Sequence, residues 1–262
     1  MNPLQILSGV LRYEYRMQIR RPALWLAFLA FGFLNMRTVL GQLSGPYFAS
    51  IEKDFTLWQL AAFVTIFTNW LAPLGVGILL ADRLTRDRRT RVDELLIALP
   101  GSLKMRLLGK YLGTTLASLT AAFLLFLLTV GLAVLLTGNV ALVPYCLVCY
   151  IVTVLPGMLF VSAFSLALPV VIWVPLYQFL FFGYWFWGNM LVPGYGLPTL
   201  SGTILTPVGS FIGAGLFGVS TFGSIHPAPT IYGLASIAAL LGIAALVIVA
   251  LYQFMRWEQA RQ

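Results

Sequence analysis

Few residues in this chain carry side chains able to act on a substrate, and they lie far apart. Cys146 and Cys149 have the Cys-x-x-Cys spacing used for redox exchange or for half of a metal site. They sit inside an apolar run with no polar neighbours and no second ligand pair, so they read as two small packing side chains. His226 is the one histidine, in a His-Pro-Ala-Pro stretch. Acid–base or nucleophilic work with it would need a serine beside it, and Ser162 and Ser165 belong to a run placed near the opposite membrane face. There is no His-Glu-x-x-His motif and no Gly-x-x-x-x-Gly-Lys-Ser/Thr loop. No catalytic residue, metal or cofactor is therefore expected on the chain itself, and it reads as no enzyme.

The distribution of charge explains this poverty. From Tyr111 to Met255 the chain runs 145 residues without Asp, Glu, Lys or Arg. Of its 262 residues 60% are hydrophobic and 9% charged, with mean hydropathy +0.92. A soluble domain carries about 25% charged residues, so the expected class is an all-α integral membrane protein. The net charge of +8 does not indicate nucleic acid, because Lys and Arg accumulate beside spans on the cytoplasmic side.

A crossing helix needs about 20 apolar residues. Six runs qualify: 22–40, 57–80, 107–136, 141–164, 167–187 and 231–254. Fourteen of the 16 Lys and Arg residues fall in the N-terminal segment, the second connection and the C-terminus. All three lie on one side of an even-numbered bundle, which places both termini in the cytoplasm and the chain in a plasma membrane, as in a bacterial inner membrane. Residues 188–230 then lie outside. They are uncharged, apolar and rich in Gly and Pro, which suits a segment dipping back into the membrane and buried in protein. A seventh span there is the alternative.

Two amphipathic segments flank the spans. In residues 1–21, Leu4, Ile6, Leu7, Val10, Leu11, Tyr13 and Met17 share one half of a helix, and Arg12, Arg16 and Arg20 the other, the pattern of an interfacial helix. Glu14 falls in the middle of the apolar half. Either it is a fringe residue reaching water past Arg21, or it pairs with an arginine of the second basic segment and locks the helix to the next span. In the cytoplasmic segment 82–106, Thr90 to Asp93 has the form of a capping box. Val92, Leu95, Leu96 and Leu99 follow at i, i+3, i+4, i+7, with Asp93 and Glu94 on the polar side, and Pro100-Gly101 ends the helix. This leucine stripe must be covered, either by the underside of the bundle and the lipid surface or by a groove on a cytoplasmic partner.

A proton- or sodium-coupled transporter needs ionisable or chelating groups near the midplane. Spans three to six show none, and the second offers only Asn69. The fifth run is dense in aromatic residues, Trp173, Tyr177, Phe181 and Tyr184 among them. These serve either as lipid contacts and interfacial anchors or as the wall of a pathway for an apolar or amphipathic substrate.

The whole pattern resembles the permease subunits of type-2 ATP-binding-cassette (ABC) exporters. The resemblance rests on Tyr13-Glu14-Tyr15-Arg16 in the N-terminal helix, on six spans, and on the stretch from Arg86 to Gly113. There Glu94-Leu95-Leu96, Pro100 and Gly109-Lys110 are similar to the family's cytoplasmic loop. It implies a coupling helix whose Val92, Asp93, Glu94, Leu95, Leu96 and Leu99 meet a separate ATPase. It also implies two ATPase copies holding ATP and Mg, a second permease chain of the same or a different kind, and an outer re-entrant hairpin between spans five and six. The competing reading is a non-transport anchor or assembly subunit of a larger membrane complex, whose leucine stripe would bind a partner with no nucleotide site.

Overall fold

A computed structural model of the protein describes residues 3–44, 55–89, 102–191, 198–219 and 228–261. Every regular element among them is helical. Five helices are long and apolar enough to cross a membrane: Pro22–Gly41, Leu57–Asp87, Leu103–Thr137, Leu142–Val170 and Thr230–Gln259.

The N-terminal helix α1 (Pro3–Ile19) is followed by α2 (Pro22–Leu43). Pro22 stands in the first turn of α2, where no backbone N–H is required. The elbow is closed by Trp25, whose indole N–H donates to the Ile19 carbonyl at 2.7 Å. The second span has three pieces, α3 (Leu57–Thr68), α4 (Ala72–Leu80) and α5 (Arg83–Arg89). Thr56 and Gln59 form a capping box at its start. The third span is one helix, α6 (Leu103–Thr137), capped by Ser102. It ends at Gly138, whose φ of 68° only glycine adopts without strain.

The fourth span joins α7 (Leu142–Cys149), a π-helical stretch Tyr150–Val154 and α8 (Leu155–Ala167). Pro156 explains the widening, because its ring would strike the carbonyl four residues earlier in a regular helix. The sequence divides this region between Phe164 and Ala167, and the structure does not. The helix runs on through a 3-10 turn, Leu168–Val170, and breaks at Val171 to Trp173.

The run 167–187 is consequently not a single helix. Its second part is α9 (Val174–Trp185), continued by a π-helical turn Phe186–Met190. Pro169 sits in the 3-10 turn, Pro175 in the first turn of α9, and Trp173 between them leaves the helical region with φ −56° and ψ 130°. The 12-residue α9 and its five-residue extension rise about 25 Å together, short of the roughly 30 Å hydrocarbon core. A short helix α10 (Ser210–Phe217) precedes the last span, α11 (Thr230–Gln259). Eight residues span about 12 Å, so α10 cannot cross.

The core lies where α3 and α4 meet α6, α7, α8 and α9, around Ile66, Leu74, Phe126, Met158 and Trp185. Helix α1 lies along the start of α6, and α10 is wedged between α3 and α11.

Candidate functional site

The face that α1 turns to the bundle runs through Leu7, Val10, Leu11, Glu14 and Gln18, while Leu4 and Tyr13 stay exposed. Glu14 is 2% exposed, and its partner is Arg83 in α5. Arg83 Nε donates to Glu14 Oε2 at 2.9 Å, and Nη2 to Oε1 at 2.9 Å and to Oε2 at 2.6 Å. Arg83 Nη1 donates to Asp87 Oδ1 at 2.6 Å, one helical turn on, and Lys110 Nζ of α6 donates to Asp87 Oδ2. Two carboxylates and two cations thus alternate in a neutral chain, all four side chains at most 7% exposed. Burial pushes the Glu14 carboxyl above its ordinary range, and the neighbouring Arg83 and Lys110 charges pull against it. The chain ties together α1, the end of the second span and the start of the third.

Two glycines make the close approach possible. A Cβ at Gly109 would stand 2.8 Å from Val10 Cβ, and one at Gly113 would stand 2.6 Å from the Leu11 carbonyl oxygen and 2.8 Å from Glu14 Cβ. They are four residues apart on α6, the spacing that lets two helix backbones touch. Gly113→Val is expected to lift α1 from α6 at a cost of about 1–3 kcal/mol, since the first obstacle is backbone. Gly131→Ala on the same helix, with nothing within 4 Å, should be neutral or mildly stabilising. Hydrogen exchange over residues 3–19 in the two variants checks the contrast.

The stripe of Val92, Asp93, Glu94, Leu95, Leu96 and Leu99 lies outside the described residues, as does His226. The stripe's neighbours are described: α5 ends at Arg89, just before it, and α6 begins at Leu103, just after it.

The second site lies deeper, where the second span breaks between Thr68 and Ala72, with Pro73 in the first turn of α4. Two neighbours complete the interrupted backbone. Asn35 of α2 donates its amide to the Thr68 carbonyl, and Trp185 of α9 donates its indole N–H to the Trp70 carbonyl at 2.9 Å. Asn69 in turn donates to the Pro207 and Val208 carbonyls at 3.2 and 2.9 Å. Asn69 follows directly on the 12-residue α3, so the segment before α10 reaches about 18 Å along the span. That irregular segment is also held by Ser236 Oγ donating to the Ile204 carbonyl at 2.7 Å, and by Thr206 Oγ1 donating to Asn189 Oδ1 at 3.2 Å. Gly157 passes so close beneath it that a Cβ there would stand 2.1 Å from the Pro207 carbonyl oxygen.

The aromatic residues of the fifth run separate into two sets. Tyr177 and Phe181 are buried, with Trp185, along one stripe of α9. Tyr177 and Ser165 share a hydroxyl hydrogen bond of 2.8 Å, and Ser165 gives its own proton to the Val161 carbonyl. Phe181 lies over Gly77 and stacks on Tyr177. Trp173 is 68% exposed, and Tyr184 lies at the exposed side with Phe179, Phe182 and Trp187. Trp173, Tyr177, Phe181 and Tyr184 follow one another at i, i+4, i+8 and i+11, the spacing of a single helical face. The rings of Tyr177, Phe181 and Tyr184 are in succession along it, while Trp173 stands before the first turn of α9. Asn69 is buried and engaged with backbone, so its position in the structure is that of a support.

Cys146 and Cys149 are free and buried, one helical turn apart on α7. Among the described residues no group of three or more His, Cys, Asp and Glu side chains could hold a metal ion. Of the two readings of Glu14, the structure shows the one that pairs it with an arginine of the second basic segment, the arginine being Arg83. Sequence reasoning missed Asp87, Lys110 and Asn35. The i, i+4 spacing of Arg83 and Asp87 was a legible signal, whereas their meeting with Glu14 and Lys110 spans 69 and 23 residues of chain. No protein-family model matches the chain, and no curated protein sequence matches it.

Proposed function

We propose that the chain is the membrane-spanning permease subunit of an ATP-driven ABC exporter. In this reading it works with a second permease chain and two copies of a cytoplasmic ATPase, in a plasma membrane such as the bacterial inner membrane. The observation that carries the reading is the buried Glu14–Arg83–Asp87–Lys110 chain. It makes α1 and the ends of two spans a single stiff body on either side of residues 90–101, which hold the leucine stripe. A push on Val92, Leu95, Leu96 and Leu99 from a nucleotide-closing partner would pass into both spans as a rigid-body tilt.

Two further features support it. The fully uncharged stretch from Tyr111 to Met255 suits an interior that conducts apolar or amphipathic molecules and leaves the energy to a partner. The buried segment before α10, pinned by Asn69 and Ser236, suits a re-entrant closure on the outer side, with α9 as the sixth membrane-embedded helix and both termini in the cytoplasm.

The decisive experiment is co-purification followed by reconstitution. A P-loop ATPase should come down with the chain. Replacing Leu95 and Leu96 together by Asp should either abolish that association or leave ATP hydrolysis no longer stimulated by the permease. Unchanged stimulation in the double variant, or flux driven by an ion gradient with no ATPase present, would exclude the reading.

A further inference from the structure

A small cavity lies against the break in the second span, between α2, α4 and α6, with a volume of about 20 Å³. That exceeds the roughly 10–15 Å³ needed to admit one water-sized group. Its floor is polar. Asn35, 5% exposed, lines it, and its Oδ1 is buried without a hydrogen-bond partner. The amide orientation follows from its other end, since the atom meeting the Thr68 carbonyl must be the donor nitrogen. The two hydroxyls of the lining, Thr68 and Thr129, give their protons to the Val64 and Leu125 carbonyls of their own helices, at 2.7 and 3.1 Å. What they leave to the cavity is acceptor capacity.

The rest of the wall is apolar, from Phe28, Phe31 and Leu125. Phe31, Gly32, Ala72 and Leu125 are half-buried, so the cavity borders the outer surface of α2, where Leu29 and Phe33 are exposed. On a helix that crosses the bilayer this surface meets hydrocarbon. An occupant must therefore present one hydrogen-bond donor and arrive from lipid. A phosphate or carboxylate would bring an anion with no cationic side chain among the lining residues, facing the orphan Asn35 Oδ1. An ammonium would find no acidic side chain among the lining residues, and an unpaired cation at this depth is costly. A neutral hydroxyl satisfies the orphan oxygen without either penalty.

We propose that this cavity binds the hydroxyl group of a neutral, membrane-dissolved long-chain alcohol, with its hydrocarbon chain lying along the α2–α6 surface. The site is independent of any motor and needs no partner.

The test uses the full chain in phosphatidylcholine nanodiscs and two photoreactive probes. One is hexadecanol carrying a diazirine and an alkyne, and the other is its methyl ether, which accepts but cannot donate. The alcohol should label the peptides holding residues 28–35 and 122–129 about 3–10-fold more than the ether, the range expected for one hydrogen bond. Unlabelled hexadecanol should compete and hexadecane should not. Asn35→Leu should bring alcohol labelling down to the ether level. Because that change also removes the bond to Thr68, Ala122→Leu serves as a second variant, filling the cavity with Asn35 intact, and it should do the same. Equal labelling by alcohol and ether, as expected if the cavity holds only water, would overturn the proposal. So would alcohol labelling that Ala122→Leu leaves unchanged.

Discussion

Arg83→Leu is expected to destabilise the protein by about 3–5 kcal/mol, the usual cost of removing one partner from a buried ionic network. The change strands Glu14, which accepts three hydrogen bonds from Arg83, and takes from Asp87 the bond donated by Arg83 Nη1. The double variant Glu14→Leu with Arg83→Leu removes both members of the stranded pair and keeps Asp87 with Lys110. It should recover most of the loss, because apolar groups of similar size often replace a buried ion pair at little cost. Thermal unfolding of wild type and the two variants in one detergent checks this, and a double variant no more stable than the single would refute it.

The sign of the pH dependence follows from Glu14. Its carboxyl is already above the ordinary value of 4.5, by burial, with Arg83 the main opposing influence. Removing Arg83 removes that opposition and raises it further. A carboxyl raised on folding contributes stability that is full below its unfolded value and is lost as pH rises through its folded value. The defect in Arg83→Leu should therefore be smaller at acidic than at alkaline pH, in the window above 4.5, and the double variant should lack that trend.

Gly157→Ala is expected to have the second-largest effect. The new methyl would stand 2.1 Å from a backbone carbonyl oxygen, at Pro207, and a backbone obstacle cannot rotate away as the end of a side chain can. A cost of about 1–3 kcal/mol follows, taken up by displacement of the segment before α10. Asn69→Ala removes two hydrogen bonds to the same segment, yet hydrogen bonds between membrane helices average only about 0.6 kcal/mol. Gly157→Ala should thus exceed Asn69→Ala. A cysteine introduced at Ser210, buried at 1% exposure, should become reactive to a membrane-impermeant thiol reagent in Gly157→Ala and stay protected in the parent. If the two variants protected it equally well, the segment would not be seated as described.

Much of this architecture was legible from the chain alone. The 145 residues without a charge require lipid as solvent, and in lipid each segment must satisfy its own backbone, which leaves helices. That constraint is local, so the existence and approximate limits of five of the six expected spans could be read from composition. The position of Glu14 on an otherwise apolar face was equally local, and it left two readings, a fringe residue reaching water past Arg21 or a carboxylate paired with an arginine of the second basic segment.

The identity of its partner was not local. Arg83 looked like one of eight basic residues in a solvated connection, and the second span looked finished at Leu80, because an apolar run stops at its first charge. The helix continues to Arg89, with Arg83 paired to Glu14 of α1 and Asp87 to Lys110 of α6, which offsets the cost of burying those two charges. The same holds for the fifth run and for Asn69. Proline positions announce that a helix will be interrupted, but where the freed carbonyls find donors depends on which neighbour stands beside them. Periodicity and solvent preference thus determined the helices, whereas the ionic chain, the mended break and the buried loop arose from atoms tens of residues apart, brought within hydrogen-bonding distance of one another by packing alone.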